Sequence, residues 1–569
     1  MPYRAPVTDY RFLLSHVVGF GAVTATPRFS AADPDLTEAI LTEAARLCED
    51  VLAPLQRQGD LHPARLENGI VRTSPGFAQG YHAIAAGGWV GISAPADHGG
   101  LALPLTLATV VNEMMAGACL ALQLNPLMTQ GQIEALDHHA SDTLKALYLP
   151  RLISGEWSGT MNLTEPQAGS DVGALRSKAE PNPDGTYAIS GQKIYISWAD
   201  NDFTTNVCHL VLARLPDGVP GTKGISLFLV PKLIPDADGK PGAPNSLRVV
   251  SLEHKMGLHG SPTAVMAYDR ATGWLVGAPH GGMAAMFTMM NNARLGVATQ
   301  GLGAAEAAMQ HAMTYAHGRV QGRALTGTTG TIVDHADVRR MLATMKAELF
   351  AARAIALSCA VAIDMASATD LPTWKARAGV LTPIAKAFGT DTGIAVSELG
   401  VQVHGGMGFI EDSGAAQYSR DVRVTTIYEG TNGIQAMDLV ARKLADGGVA
   451  VFALLDEVLD GAEAARVSHP GLADAVWNAA ESLRETTEWL LTRPDLNDRF
   501  AGAVPYLRAF ARVLGGQAHL AAAVAGDAAR LRLATFYIRR LLPEHAGLLA
   551  HVREGSADLM AFDPSDLAA

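Results

Sequence analysis

The spacing of apolar residues divides the chain into blocks of different secondary structure. From about residue 36 to 150, apolar positions recur every three or four residues, which predicts a helical block. From about 157 to 277, apolar and polar residues alternate in short runs bounded by turn residues, a pattern typical of strands. The predicted strands are 186–197, 207–215, 225–230, 247–252 and 263–268.

Helical periodicity returns at Met283 and is clearest from Val338 to Cys359, where apolar residues are spaced by three and four. Asp446, Gly447 and Gly448 interrupt it, and new amphipathic segments follow. The pattern predicts an α+β fold that is mainly α. Its expected parts are an N-terminal extension (1–35), an N-terminal helical domain (36–155), a small middle β domain (156–280), a four-helix-bundle domain (281–445) and an additional C-terminal helical domain (446–569).

Composition excludes several classes of protein. The chain has 569 residues, 48% of them hydrophobic, and its 44 basic against 56 acidic residues give a net charge of −12, which disfavours nucleic acid as a partner. The four cysteines are far apart, which favours a reducing, cytoplasmic compartment. We expect no signal peptide, no integral membrane span and no metal, since no Cys or His pair has metal-binding spacing.

Two motifs frame the start of the β block. The segment 161–171 is a Pro- and Gly-containing loop that offers Thr164, Ser170 and free backbone amides to a flat heterocycle or a phosphate. An ordinary turn is an equally good interpretation of it. In the strand 191–197, alternation places Tyr195 and Ser197 on one face, where they could flank a ring. Cross-strand packing of Tyr195 is the commoner alternative.

Two further motifs lie in the bundle block. The segment 402–408 holds three glycines that allow close approach to a phosphate, although a helix end followed by a turn is the commoner explanation. His404 is interpreted as a hydrogen-bonded structural residue. In the segment 427–435, Glu429 lies between an aromatic residue and a glycine, and apolar flanks would raise its pKa and make it a usable base. An exposed loop glutamate is the alternative.

Taken together and in this order, the motifs resemble those of the acyl-CoA dehydrogenases. The resemblance covers about residues 36 to 445 and rests on the T-E-P-x-A-G-S-D segment from Thr164, the Y-E-G-T segment from Tyr428 and Gly88 to Ile92 upstream. The N-terminal extension and the extra C-terminal domain resemble a bacterial subgroup that includes long-chain acyl-CoA and 3-methylmercaptopropionyl-CoA dehydrogenases.

The resemblance implies an FAD enzyme that removes the α-proton of an acyl-CoA with a glutamate, while a hydride leaves the β-carbon for the flavin, giving a trans-2-enoyl-CoA. Glu429 matches that glutamate. Some relatives carry the base one residue before the arginine of an N/D-x-x-R motif, but Ala293 stands there and cannot act as a base. The remaining matched positions are Tyr428 and Gly430 beside the reacting carbons, Thr431 at the flavin nucleotide, and Asn291 and Arg294 at the thioester end of CoA. A structural ion pair is the alternative role for Arg294.

The resemblance also implies which residues bind the flavin. They are Met161, Leu163, Thr164, Ser170, Tyr195, Ile196, Ser197, Arg319, Gln321, Gln402, Gly405 and Gly406, with Ser170 contacting either flavin phosphate or substrate CoA. Three features depart from the family pattern: Met161 replaces a frequent aromatic, Ser197 and Trp198 replace Thr-Asn, and 319–323 lacks the usual R-x-x-F-G form. Because the family shares FAD across a subunit interface, a homodimer or homotetramer is implied.

The expected partners are an acyl-CoA substrate and an electron-transfer flavoprotein as electron acceptor, which would place the enzyme in fatty acid β-oxidation. An acyl-CoA oxidase, reoxidised by dioxygen, is an alternative, as is a non-catalytic acyl-CoA-binding protein that kept the fold. In the C-terminal block, Arg532, Arg539 and Arg540 permit a membrane-surface or partner contact, although a solvated helix face is the commoner explanation. The acyl-chain length stays open.

Overall fold

Helices form most of the N-terminal part, as the periodicity predicts. The computed structural model describes residues 3–568. The extension forms two helices, and five more follow: α1 (Val7–His16), α2 (Phe20–Thr24), α3 (Pro34–Arg46), α4 (Ala53–Leu61), α5 (Phe77–Ala86), α6 (Leu105–His139) and α7 (Asp142–Ile153). A hairpin of β1 (Arg65–Glu67) and β2 (Ile70–Arg72) interrupts the block predicted as helical. Strands of three residues are too short to show alternation in a sequence.

The long core helix α6 is kinked at Cys119, whose backbone is extended (φ −154°, ψ 89°). A kink releases backbone groups from the helical hydrogen-bond pattern, and two side chains from elsewhere bind near it. Gln56 Oε1 accepts from the Leu120 amide at 3.1 Å, and the Trp198 indole donates to the Ala121 carbonyl at 3.1 Å. The kink thereby ties α6 to α4 and to the β block.

The middle block is a twisted sheet flanked by helices. All five predicted strands are present within a residue or two, but the last extends to Val276, and β3, β4, β8 and β9 were not predicted. The strands are β3 (Trp157–Asn162), β4 (Lys178–Pro181), β5 (Tyr187–Ser197), β6 (Asn206–Arg214), β7 (Ile225–Pro231), β8 (Leu233–Pro235), β9 (Pro241–Pro244), β10 (Leu247–Leu252) and β11 (Thr263–Val276). Seven of them form one sheet in the order β10-β11-β5-β4-β6-β3, with β7 against β11 and β6, while β8 and β9 pair separately.

Three long helices and two short ones form the bundle. They are α8 (Gly282–Gly318), α9 (Ala336–Thr369), α10 (Pro372–His404), α11 (Ala415–Val422) and α12 (Asn432–Ala441). Small residues let α8 and α10 approach closely, since a Cβ on Gly301 would lie 2.5 Å from the Gly389 carbonyl oxygen. This close contact fixes the helices that flank the catalytic loop.

Seven helices form the C-terminal block: α13 (Val449–Ala465), α14 (Pro470–Leu491), α15 (Leu496–Ala501), α16 (Ala503–Ala525), α17 (Ala528–Phe536), α18 (Glu544–Arg553) and α19 (Ala557–Ala561). Arg512 of α16 is buried and forms an ion pair with Glu348 of α9 at 2.5 Å. The apolar residues of this block belong to the same core as those of the bundle. The additional block is therefore packed into the bundle.

A buried ion network joins the N-terminal extension to the bundle and the C-terminal block. Arg353 of α9 is 1% exposed and lies 2.6 Å from Glu113 and 2.7 Å from Glu306. Asp9 of α1 lies 2.5 Å from both Lys346 and Arg530 and 3.7 Å from Arg353. The three acidic residues of this network thus balance its three basic residues. Because Asp9 belongs to α1, the network makes the N-terminal extension part of the core.

Two helices, α6 and α9, are long and apolar enough to span a membrane by length and composition, but 94% and 89% of their most apolar windows are buried. A core helix passes the same test, so these helices carry no argument for a membrane span. All four cysteines are buried and unpaired. Within residues 3–568, no group of His, Cys, Asp or Glu is arranged to hold a metal ion.

Candidate active site

The predicted catalytic loop is a strained turn that leads into α12. Glu429 and Gly430 both have left-handed backbone conformations, with φ of 57° and 84°. For a non-glycine residue this conformation costs about 1–3 kcal/mol and persists only where the surroundings impose it. Thr431 ends the turn, because its hydroxyl accepts from the Ile434 amide at 3.2 Å and caps α12.

Two side chains hold this turn in place. Lys386, on α10, donates to the Gly430 carbonyl at 3.0 Å and to Asn432 Oδ1 at 2.9 Å. Gln435 Nε2 donates to the carbonyls of Glu429 and Gly430 at 3.2 and 3.3 Å. The Glu429 carboxylate makes no hydrogen bond within the described part of the chain. It is therefore free to meet a substrate.

Burial raises the pKa of Glu429 from 4.5 to about 7, while the positive charges of Arg294 and Lys386 act in the opposite direction. The predicted effect of apolar surroundings on this carboxyl is confirmed. A base with a pKa close to the working pH is ionised often enough to react and still basic enough to hold a proton. Its catalytic role stays a prediction that this electrostatic environment supports.

This pKa predicts the pH dependence of activity. Glu429 must be ionised to accept a proton, so kcat/KM should fall about tenfold per pH unit below an inflection near pH 7. Above the inflection the profile should be flat until other groups titrate. Initial rates across pH 5.5–9, a range of about 3.5 units that contains the expected inflection, measure it. A profile that stays flat down to about pH 5.5, as expected for a glutamate with the ordinary pKa of 4.5, would contradict the raised pKa of Glu429.

The predicted CoA-side residues lie at the wall of a large cavity. Asn291 and Arg294 are one turn apart on α8, with Arg294 donating to Asn291 Oδ1 at 3.3 Å. Both line a cavity of about 860 Å³ bordered by α6, α8, α9, α10 and α12, and Glu429 is not among its lining residues. The negative charges of Asp438 and Glu429 stabilise the positive charge of Arg294. Its buried Nε nevertheless has no hydrogen-bond partner in the described chain. The geometry does not show the tight structural ion pair weighed as its alternative role.

Tyr428 connects the catalytic loop to the kinked helix. Its hydroxyl donates to Gln300 Oε1 on α8, and Gln300 Nε2 donates to Gln123 Oε1 on α6 at 3.0 Å. Both glutamines are buried, and Gln123 Nε2 has no partner in residues 3–568. Gln123 lies two residues after Ala121, whose carbonyl accepts from the Trp198 indole. The catalytic loop is thus linked through α8 and α6 to Trp198, which directly follows β5.

The two predicted β motifs are joined by a buried ion pair. Lys193 of β5 donates to Glu165 at 2.9 Å and to the Leu163 carbonyl at 3.0 Å. Glu165 also accepts from the amides of Arg176 and Ser177. The pairing with Lys193 and these amides outweighs burial and lowers the pKa of Glu165 to about 2. The loop is thus held firmly on the sheet, beyond what an ordinary turn requires.

The flavin-side residues form an open shelf on this sheet. Met161 and Leu163 are partly buried, Tyr195 is 62% exposed, and the hydroxyls of Thr164 and Ser197 have no partner among residues 3–568. This combination of apolar cover and free hydroxyls fits a flat heterocycle with polar edges. Ser170 is exposed on the adjoining loop.

Two features at the end of β5 were not predicted, although Ile196 is buried between the exposed Tyr195 and the partly exposed Ser197. A bulge opposite Val265 interrupts the register, and Tyr195 has a left-handed backbone, φ 61°. The Ile196 side chain is buried in the core of the sheet, so only its backbone is available to a cofactor. A local bulge has no signature in hydrophobic alternation.

The predicted nucleotide-binding residues lie at another end of the bundle. Helix α8 ends just before Arg319, and His404, at the end of α10, stacks on Tyr315 at 4.4 Å. Gly405 and Gly406 follow in an exposed turn, where added Cβ atoms would meet nothing within 4 Å. His404 bonds the Gly400 carbonyl at 2.7 Å, as expected for a structural histidine. Among residues 3–568, the one hydrogen bond of Gln321 is at its carbonyl, which accepts from His335 at 2.9 Å. No hydrogen bond in the described chain joins this group to the shelf.

Sequence reasoning missed three residues of this site: Lys386, Gln123 and Gln300. Lys386 stands among Ile384, Ala385, Ala387 and Phe388, all buried. A lone charge in an apolar helical run signals a buried, partnered side chain and could have identified it. The glutamines carry a weaker signal, because a neutral amide in a helix is ordinary.

The fold and this site are those of a known protein family. The acyl-CoA dehydrogenase models match along most of the chain: the N-terminal domain at 34–156, the middle domain at 160–271 and the C-terminal domain at 280–444. A model described as acetyl-CoA dehydrogenase C-terminal like matches 451–563. The chain belongs to the acyl-CoA dehydrogenase family, an oxidoreductase family of FAD flavoproteins whose general reaction is acyl-CoA desaturation.

Individual proteins are similar to this chain in sequence or in fold. The chain is 44% identical over 523 residues to a 3-methylmercaptopropionyl-CoA dehydrogenase of Ruegeria pomeroyi, covering 89% of this chain and 88% of the relative. The fold is similar to that of Caenorhabditis elegans ACDH-11 in complex with C11-CoA, with TM-score 0.78, 19% identity and coverage of 94% and 91%. It is also similar to a structure described as an electron transferring flavoprotein of Acidaminococcus fermentans, with TM-score 0.60, 25% identity and coverage of 72% and 98%.

Proposed function

We propose that this chain desaturates a short acyl-CoA that carries a polar or sulfur-containing group, with 3-methylmercaptopropionyl-CoA as its first candidate substrate. The observation that carries the reaction is Glu429, a carboxylate with a pKa of about 7 and no hydrogen bond in residues 3–568. Its charge interacts with that of Arg294, which lines the large cavity. The candidate substrate comes from the relative that is 44% identical along nearly the whole chain.

The chain's own residues divide the work of the reaction. Glu429 takes the α-proton, and Arg294 and Asn291 orient the thioester end of CoA at the cavity wall. Tyr428, held by Gln300, borders the reacting carbons. Met161, Thr164 and Ser197 of the shelf would hold FAD, which when bound would provide the acceptor for the hydride from the β-carbon. The positive charges of Arg294 and Lys386 offset part of the effect of burial, so that Glu429 is partly ionised near pH 7.

Polar side chains favour a short acyl group. Gln123 and Gln300 are buried behind Tyr428, and Gln123 Nε2 has no partner in the described chain. Neither glutamine lines the cavity, but an alkyl chain long enough to reach Gln123 would keep this amide from any partner, at a cost of about 1–3 kcal/mol on protein scales. A small or heteroatom-bearing acyl group avoids that cost.

A panel of acyl-CoAs tests the proposed substrate. With the FAD-loaded protein, kcat/KM for 3-methylmercaptopropionyl-CoA and butyryl-CoA should exceed that for palmitoyl-CoA by at least about tenfold. Equal or faster turnover of palmitoyl-CoA by the unmodified protein would contradict the proposal.

We further propose that electrons pass to an electron-transfer flavoprotein and that two or four copies assemble. The first point draws on the similarity to an electron transferring flavoprotein structure. The second draws on the exposed apolar residues beside Gly405 and Gly406, including Phe409, which is 86% exposed. Slow reoxidation of the reduced protein by air supports the dehydrogenase, and rapid reoxidation supports an oxidase instead. A cytoplasmic location and a role in β-oxidation complete the proposal.

A further inference from the structure

Lys386 is a buried cation that contacts the catalytic loop from a separate helix. Its side chain is 0% exposed, although lysine is almost never buried without partners. Two loop oxygens accept from its ammonium group, the Gly430 carbonyl at 3.0 Å and Asn432 Oδ1 at 2.9 Å. Gly430 directly follows Glu429, so this lysine is bound to the loop at the base itself.

We propose that Lys386 is a positioning residue for desaturation, which fixes the loop that carries Glu429 and favours the ionised form of that carboxylate. The inference rests on the proposed role of Glu429 as the base. Lys386 itself does not contact the reacting carbons in this account. It acts through the loop and through its charge.

Geometry supports the anchoring role. The Asn432 side chain accepts a hydrogen bond from Lys386 through its oxygen and donates one to Asp391 Oδ1 at 2.7 Å through its nitrogen. Two residues of α10 therefore hold the first residue of α12. Without Lys386, the Gly430 carbonyl would keep only the longer bond from Gln435, at 3.3 Å. Because Glu429 has a strained backbone, loss of this clamp would let the turn relax.

The surrounding charges support the electrostatic role. Glu429 faces two cations on different helices, Arg294 on α8 and Lys386 on α10, and both lower its pKa. Arg294 also faces Asp438 on α12, and Lys386 also faces Asp391 on α10. Burial lowers the pKa of Lys386 to about 8, so the amine is mainly charged at pH 7. Removing its charge should therefore raise the pKa of Glu429.

Three substitutions at one position test the proposal. Lys386→Met removes the charge and the hydrogen bonds, Lys386→Gln keeps a donor without the charge, and Lys386→Arg keeps the charge. We expect the inflection of the kcat/KM profile to move up by about one pH unit in Lys386→Met and Lys386→Gln, and to stay near the wild-type value in Lys386→Arg. Lys240→Met, at an exposed lysine between β8 and β9 that does not line the cavity, should leave the profile unchanged.

The readouts separate this role from simple stability. FAD content and melting temperature are measured for each variant, and if Lys386→Met does not retain FAD, Lys386→Gln supplies the comparison. A common inflection for wild type, Lys386→Met and Lys386→Gln would overturn the inference. If the wild-type flavin is not reduced by any acyl-CoA, the proposed function fails instead, so the two failures are distinguishable.

Discussion

Turnover of acyl-CoA should fall by roughly 10²–10⁴-fold when Glu429 is replaced by glutamine, the usual contribution of a general base. Glutamine has nearly the same shape as glutamate, but its amide does not accept the α-proton. The Glu429 side chain makes no hydrogen bond in the described chain, so the exchange leaves no protein group unpaired. Steady-state rates with an artificial electron acceptor measure this effect.

The matched control for this variant is Glu488→Gln. Glu488 is an exposed glutamate of α14 in the C-terminal block, far along the chain from the catalytic loop. It should turn over acyl-CoA at the wild-type rate, and both variants should retain FAD. Comparable rates for Glu429→Gln and Glu488→Gln would exclude Glu429 as the base.

Replacing Arg353 by methionine should destabilise the fold by about 3–5 kcal/mol, the range found when one partner of a buried ion pair is removed. Arg353 is 1% exposed and is the cation between Glu113 and Glu306. Methionine would leave both carboxylates buried without that charge. A large drop in melting temperature and loss of soluble protein are the measured effects.

A surface arginine provides the comparison for this change. Arg466 of the α13–α14 connection pairs with Asp474 at 3.0 Å on the exposed side of the molecule. Exposed pairs of this kind contribute about 0–1 kcal/mol, so Arg466→Met should melt within a few degrees of wild type. Similar melting of Arg353→Met and Arg466→Met would show that the buried network does not hold the fold together.

Periodicity predicted much of this fold because it reports burial directly. The long helices α8, α9 and α10 and the five strands were visible as spacings of three to four and of two. The hairpin at Arg65–Arg72 and the bulge at Tyr195 were not, since both depend on local turns rather than on a repeated pattern. The same limit hid the kink at Cys119.

The residues of the candidate site also fall into two groups, those that sequence motifs reveal and those that only tertiary packing brings in. Glu429, Arg294 and Thr164 belong to short motifs whose residue types already suggest their chemistry. Lys386, Gln300 and Gln123 come from α10, α8 and α6, and only the tertiary packing of these helices brings them to the catalytic loop. Contacts between residues 44 to 177 positions apart leave no trace in local spacing.

The most direct test of the account is anaerobic mixing of the FAD-loaded protein with 3-methylmercaptopropionyl-CoA, followed through the visible absorption band of the flavin. The wild-type protein should lose this band. Glu429→Gln should bind the acyl-CoA, as shown by a shift of the band, and yet keep the flavin oxidised. Bleaching of the variant at the wild-type rate would contradict the assignment of Glu429 as the residue that removes the α-proton.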